Sequence, residues 1–284
     1  MTALAPRATA LGGSPDADLH LDWLAASLLR NRFMPIPPSE RCFVGDGDFL
    51  AVGVEFLQWF VRAGDLAPHE RVLDLGCGIG RMAVPLTQYL DTGTYDGVDV
   101  AAVGIDWCLA NISARYDNFR FQRLDLRHPI YNPDGALETQ DVRLPFADGV
   151  FDFVFMTSVL THLETSEIRA YARELRRVMA PGARCFLTAF MLNRPAREGL
   201  AAGRGLLPFD AAGERVYAYA DNPSAAVAYD EDFLLSQFLE FGLRRRRPPI
   251  YGRWSGRQTP GPSFQDINIL EIEAPAPADA AAGA

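Results

Sequence analysis

From Arg71 onward, short apolar runs alternate with longer stretches of helical spacing. "RVLDL" (71–75), "TYDGVDV" (94–100), "FRFQRLDL" (119–126), "FDFVFMTS" (151–158) and "ARCFLTAFML" (183–192) read as strands. Between them lie "MAVPLTQYL", "AVGIDWCLANISARY" and "EIRAYARELRRVM". The last of these sets Ile168, Tyr171, Ala172, Leu175 and Val178 at helical spacing, and "APG" (180–182) stops it. Such alternation predicts parallel strands joined by right-handed crossovers. Two amphipathic segments precede the alternation, "LHLDWLAASLLRNRF" and "DFLAVGVEFLQWFVRAG", separated by a "MPIPPSE" break. Beyond it, residues 193–229 lose periodicity and collect Gly, Pro and Ala, the mark of an insertion or lid. Then "DEDFLLSQFLEFG" predicts a helix capped by Asp230 and stopped at Gly242. "LRRRRPPIY" and "FQDINILEIE" predict a final antiparallel pair around a "GRWSGRQTPGPS" loop.

The fold expected is α/β: a Rossmann-like, doubly wound, mostly parallel seven-stranded sheet with one antiparallel strand in the edge region. An N-terminal helical segment (19–66) covers a core domain (67–273) that carries the 193–229 insertion after strand five. Residues 1–18 and 274–284 are Ala/Gly/Pro-rich and unable to bury enough apolar area to offset ordering entropy, so they are expected to be disordered tails.

Composition narrows the chemistry. The chain has 284 residues, 49% of them hydrophobic, enough for a sizeable core. With Asp+Glu 36 against Lys+Arg 27, general affinity for nucleic acid or an anionic membrane is disfavoured. All the basic residues are arginine, which removes the lysine of a phosphate-binding P-loop and of a Schiff-base enzyme. Cys42, Cys77, Cys108 and Cys185 are far apart, suggesting neither a zinc site nor a disulfide framework, and a reducing cytoplasm fits them best. No secretory signal pattern and no apolar run of membrane-spanning length is present, so a soluble cytoplasmic protein without membrane insertion is expected.

The chemistry gathers where the strands end. Asp74, Gly76, Cys77, Gly78 and Gly80 form D-x-G-C-G-x-G at the end of the first strand, where glycines let the backbone turn tightly and approach a ligand closely. The spacing differs from the dinucleotide fingerprint G-x-G-x-x-G, and an acid before the glycines repels a pyrophosphate but suits an ammonium and a sulfonium. Asp99, nineteen residues beyond Gly80, ends the second strand, where a carboxylate can accept from both hydroxyls of a ribose. Asp125 ends the third, near an adenine amino edge. A tight turn and solvated strand-end acids are the plainer alternatives for each feature taken alone.

Five segments carry a resemblance. "VLDLGCGIG", "GVDV", "RLDL", "LPFADGVFDFV" and "RRVMAPGA" together resemble a class I S-adenosylmethionine-dependent methyltransferase over about residues 71–192, with "APGA" standing where that family usually has "KPGG". The resemblance implies that Asp74 and the loop Gly76, Cys77, Gly78 and Gly80 hold the methionine end of the cofactor and Asp99 its ribose. It further implies that Val100 flanks the adenine, that Asp125 and Leu126 meet its amino edge, and that Met156 and Thr157 line the methyl-facing side.

Of the four histidines, only His162 follows the fourth strand, where it can accept a proton from a substrate hydroxyl, with Glu164 to orient it or act in its place. Packing or a loop hydrogen bond is the alternative for His162. Asp46 and Asp48 form a turn rather than a metal site, and no metal is expected. The Arg244–Arg247 run reads as a solvated strand or a set of carboxylate or phosphate contacts rather than a nucleic-acid stripe. Aromatics outside the shared core, among them Phe43, Tyr131, Phe209, Tyr217, Tyr219, Tyr229, Tyr251 and Trp254, either line an acceptor pocket or form the insertion's own small core. The expected activity is methyl transfer, chiefly to an oxygen of a small molecule or glycan. A nicotinamide (NAD)-dependent oxidoreductase and a non-catalytic cofactor-binding scaffold are the rivals.

Overall fold

Two helices, α1 (Pro15–Leu28) and α2 (Phe49–Arg62), precede the sheet in the computed structural model, which describes residues 15–272 except 46 and 130. The core then runs β1 (Arg71–Leu75), α3 (Ala83–Leu86), β2 (Thr94–Asp99), α4 (Ala102–Cys108), β3 (Phe119–Arg123), β4 (Phe151–Met156), α5 (Thr165–Val178) and β5 (Met179–Ala189). It continues with β6 (Met191–Leu192), α6 (Arg194–Ala201), β7 (Arg215–Tyr217), β8 (Val227–Asp230), α7 (Glu231–Leu239), β9 (Leu243–Arg245) and β10 (Asp266–Ile272).

Seven strands form one sheet in the order β3-β2-β1-β4-β5-β10-β9. Only β10 is antiparallel to its neighbours, pairing Asp266 with Ala189 and Leu270 with Arg245. The central strands are apolar on both faces because both faces are covered. On one side α2 lays Leu57 and Phe60 against Val72, Tyr95, Phe153, Phe155 and Phe186, with the Phe60 and Phe155 rings stacked at 4.3 Å. On the other, α5 buries Ile168, Leu175 and Val178 against Leu73, Val154 and Cys185, each aliphatic side chain contributing on the order of 2 kcal/mol. All parallel strands end on one edge, and the candidate residues gather there.

Local signals hold where they are strong. Asp48 caps α2, accepting the Ala51 N–H at 2.7 Å, and thus has a structural task; Asp46 lies outside the described residues. Asp230 caps α7 through the N–H groups of Asp232 and Phe233, and Gly242 follows at φ +77°.

Three expectations change. Helix α1 begins at Pro15, inside the stretch assigned to the N-terminal tail; the 274–284 tail lies outside the described residues. "MAVPLTQYL" shortens to a single turn, α3, with Pro85 inside it. The 193–229 insertion has regular structure: β6, β8 and β7 make a second sheet that with α6 encloses Phe190, Leu192, Phe209, Val216, Ala228 and Trp254. In the arginine run, Arg245 pairs with Glu231, Arg246 with Glu271 and Asp65, and Arg247 with Asp65, so these three are carboxylate contacts.

Candidate active site

The β1–α3 turn is built by glycines in the left-handed region, Gly76 at φ +86°, Gly78 at +55° and Gly80 at +80°. Its backbone is tied to β2: Gly76 and Cys77 both donate to the Val98 carbonyl, at 2.8 and 3.1 Å. Asp99 clamps it from the side. One carboxylate oxygen accepts the Gly78 N–H at 2.7 Å and the other the Ala101 N–H at 2.8 Å. Burial raises the Asp99 carboxyl above its ordinary range, opposed by the N–H groups of Ala101, Gly78 and Val100. Each oxygen keeps a further lone pair, and the side chain is only half-buried.

Asp74 lies beneath the loop on the α2 side, 1% exposed. The Tyr95 hydroxyl donates to its Oδ2 at 2.6 Å, while Oδ1 has no partner. Burial lifts this carboxyl well above the usual range, the Tyr95 bond pulling back and the Asp99 charge adding to the rise. Cys77, also buried, has its thiol pushed well up by desolvation and is no ready nucleophile.

Side chains from elsewhere close over the loop. A Cβ on Gly76 would stand 2.4 Å from Val159 Cγ2, and one on Gly78 would stand 2.5 Å from Val44 Cγ1. Gly104, near the start of α4, packs so tightly that its Cβ would meet the Gly78 carbonyl oxygen at 2.3 Å. Val44 belongs to a strap whose Gly45 carbonyl accepts from the Arg81 guanidinium at 2.9 Å. Beside it, Phe43 meets Tyr131 at 5.5 Å between ring centroids, and Tyr131 stacks on His128 at 4.8 Å. A wall of aromatic rings therefore runs from the glycine loop to the segment after β3. Burial lowers the His128 imidazole, and His162 adds to that, so the two histidines are electrostatic neighbours.

The other strand ends complete the edge. Asp125 is exposed and accepts from Asn132 Nδ2 at 3.3 Å, with Leu126 buried next to it. Val100 is half-buried against the α5-side core, Met156 is fully buried in that core and Thr157 nearly so. Ser158 follows at φ +59°, a strained conformation for a residue with a Cβ. Its N–H donates to Thr188 Oγ1 at 2.8 Å, and that hydroxyl donates to Gln265 at 2.6 Å.

His162 sits on the turn Leu160–His162 with its ring exposed. Its Nδ1 is 2.7 Å from the Ser224 carbonyl oxygen. Glu164 does not orient it, contrary to the sequence expectation. That carboxylate accepts from the Tyr217 hydroxyl at 2.7 Å, pairs with Arg215, and caps α5 together with Glu167. Val44, Val159, Gly104, Ser158 and Ser224 join the site without a sequence pattern that marks them, because each reaches it through a contact between distant segments.

The donor set fits an adenosyl sulfonium. Asp99 offers acceptors for a diol, the loop admits close backbone approach, and the covers over it are apolar. A separate hollow of about 600 Å³ lies along the edge strand β3, lined by Asp96, Leu109, Phe121 and Phe146, and holds none of these residues. Among the described residues no three potential metal ligands gather, and no helix is long and apolar enough to cross a membrane.

Comparison with known proteins points the same way. A protein-family model described as "Methyltransferase domain" matches residues 72–182. The chain is similar to the 23S rRNA (uracil(1939)-C(5))-methyltransferase RlmD of Pseudomonas syringae pv. tomato, 33% identical over 120 residues, 38% of this chain and 25% of the relative. It is similar to phosphoethanolamine N-methyltransferase 3 of Arabidopsis thaliana, 24% identical over 151 residues, 53% of this chain and 27% of the relative. The chain thus spans about a quarter of the length of these curated relatives. Among solved structures, the PH0226 protein from Pyrococcus horikoshii OT3 aligns with a TM-score of 0.56 at 15% identity, covering 82% of this chain and 95% of that one. The likeness shows the shared fold.

Proposed function

Residues 72–182 are a methyltransferase domain of the class I, S-adenosylmethionine-dependent family, and from that premise we propose that the protein methylates a hydroxyl oxygen of a small molecule or glycan, with His162 taking the hydroxyl proton. When bound, S-adenosylmethionine supplies a methyl group already activated on a sulfonium, leaving the chain to hold the acceptor oxygen in line and remove its proton. Asp99 accepts from the two ribose hydroxyls, the Gly76–Gly80 backbone receives the methionine end, and Val100, Asp125 and Leu126 surround the adenine. Met156 and Thr157 back the methyl-facing side from within the core.

The observation that carries this reading is the place of His162. It stands three residues past Val159, which covers Gly76, and it neighbours His128 in the aromatic wall that starts at the same loop. The acceptor is taken as a small molecule because the net charge is −9 and the arginines at 245–247 are paired with carboxylates.

The test is methyl transfer from labelled S-adenosylmethionine to a panel of hydroxyl acceptors by wild type and by His162→Gln. A general base contributes roughly 10²- to 10⁴-fold, so the variant should lose at least about 100-fold in kcat while binding S-adenosylhomocysteine as wild type does. Wild-type turnover in the variant would refute the assignment.

A further inference from the structure

The partner of His162 is a neutral backbone group, and that limits what the ring can deprotonate. A carbonyl oxygen only accepts, so His162 Nδ1 carries the hydrogen and donates it to Ser224 at 2.7 Å, leaving Nε2 as the ring's acceptor. The carbonyl sits on the turn Pro223–Ala225 of the insertion. That insertion is tethered to the residues around His162 in two more places: Tyr229 donates to the Leu163 carbonyl at 2.7 Å, and Tyr217 and Arg215 hold Glu164. With Glu164 so engaged, the carboxylate two residues along is not free to back the imidazole.

Resting on the base assignment above, we infer that the acceptor is a phenol-type hydroxyl on a flat ring, seated between His162 and the Phe43–Tyr131–His128 wall, and that the insertion fixes His162 as the Nδ1–H tautomer that receives its proton. A carboxylate behind a histidine stabilises the imidazolium formed on proton transfer; a neutral carbonyl does so less. The base is therefore matched to an acidic hydroxyl. A phenol, with a pKa of about 10, gives up its proton far more readily than an aliphatic or sugar hydroxyl and so asks less stabilisation of the imidazolium. The Phe43–Tyr131–His128 wall is made of tilted and stacked rings, at 5.5 and 4.8 Å, and an aromatic acceptor can extend that stack. In the step, a bond forms between the phenolic oxygen and the methyl carbon, the carbon–sulfur bond breaks with its electron pair kept by sulfur, and the phenolic proton moves to His162 Nε2.

Two readouts test the inference. In protein labelled with ¹⁵N-histidine, with His162→Gln used for assignment, the neutral His162 ring should show the hydrogen on Nδ1. Loosening the insertion's hold with Tyr229→Phe, which removes the bond to the Leu163 carbonyl while Glu164 stays paired, should release the ring to a mixture of tautomers and lower kcat about tenfold, with the affinity for S-adenosylhomocysteine unchanged. An Nε2–H ring in wild type, or a Tyr229→Phe variant with the wild-type tautomer and turnover, would overturn the positioning role. In an acceptor panel, phenols should be methylated at least about 100-fold faster than alcohols and sugars. Faster transfer to alcohols, sugars or amines would overturn the phenol assignment while leaving methyl transfer intact. No transfer to any acceptor, with cofactor bound, would overturn this inference together with the reading on which it rests.

Discussion

Replacing Asp99 with asparagine isolates one carboxylate oxygen at the point where loop and ligand meet. In the wild type each oxygen takes one backbone N–H, from Gly78 at 2.7 Å and Ala101 at 2.8 Å, and keeps one lone pair for a ribose hydroxyl. Asp99→Asn preserves shape but turns one acceptor into an NH₂ donor, which then faces the N–H of Gly78 or Ala101 and loses that contact, and removes the charge from the other. One hydroxyl contact is lost and the second weakens. With charge-assisted hydrogen bonds worth about 1.5 to 3 kcal/mol, the expected loss is about 2 to 3 kcal/mol, roughly 30- to 150-fold in Kd. The assay is calorimetric titration with S-adenosylhomocysteine, after circular dichroism has established that the variant is folded. Asp99→Ala, which removes both backbone contacts together with both ribose acceptors, should lose at least as much. Affinity of Asp99→Asn within about threefold of wild type would refute the ribose assignment and the lone-pair count behind it.

Three further outcomes follow from the packing. Gly104→Ala, which in an ordinary helix interior gains up to about 1 kcal/mol, should here lower the melting temperature and weaken cofactor binding, because its Cβ would meet the Gly78 carbonyl oxygen at 2.3 Å; a raised melting temperature would contradict this. Tyr95→Phe leaves buried Asp74 with neither oxygen partnered and should cost about 1 to 3 kcal/mol in urea unfolding, whereas a neutral result would show that the bond carries little. Asp266, fully buried among N–H donors from Met191, Gly252 and Trp254, is raised by desolvation from an ordinary 3.8 to about 6. The folded state therefore holds a proton there that the unfolded chain has released, and the stability this contributes is full below about pH 4 and lost as pH rises through 6. Asp266→Asn, which stays neutral throughout, should gain on wild type by up to about 3 kcal/mol between pH 4 and 7, and a pH-independent difference would contradict the shift.

What was legible in the sequence was what is local. "RVLDL" reads as a strand because Val72, Leu73 and Leu75 put apolar side chains on both its faces, and Asp230 and Gly242 bracket α7 because caps act within a turn or two. The glycine loop and Asp99 could be read from spacing, since a strand end followed by a second strand end fixes their relation. The insertion could not. Its small core joins Phe190, Phe209, Val216 and Trp254, which no short window contains, so no periodicity announces it. The partners of the His162 segment were hidden for the same reason: Ser224 lies 62 residues from His162, and Arg215 lies 51 from Glu164. Sequence proximity suggested Glu164 as the group that orients His162, but the fold spends that carboxylate on the insertion.

The claim on which the rest depends is that the β1–β2 edge holds an adenosyl sulfonium rather than a dinucleotide. Side-by-side calorimetric titration of the purified protein with S-adenosylmethionine, S-adenosylhomocysteine and NADH measures it directly. Micromolar binding of the two sulfur nucleosides, with none of NADH, is the predicted result; binding of NADH alone, or of none of the three, would contradict the account.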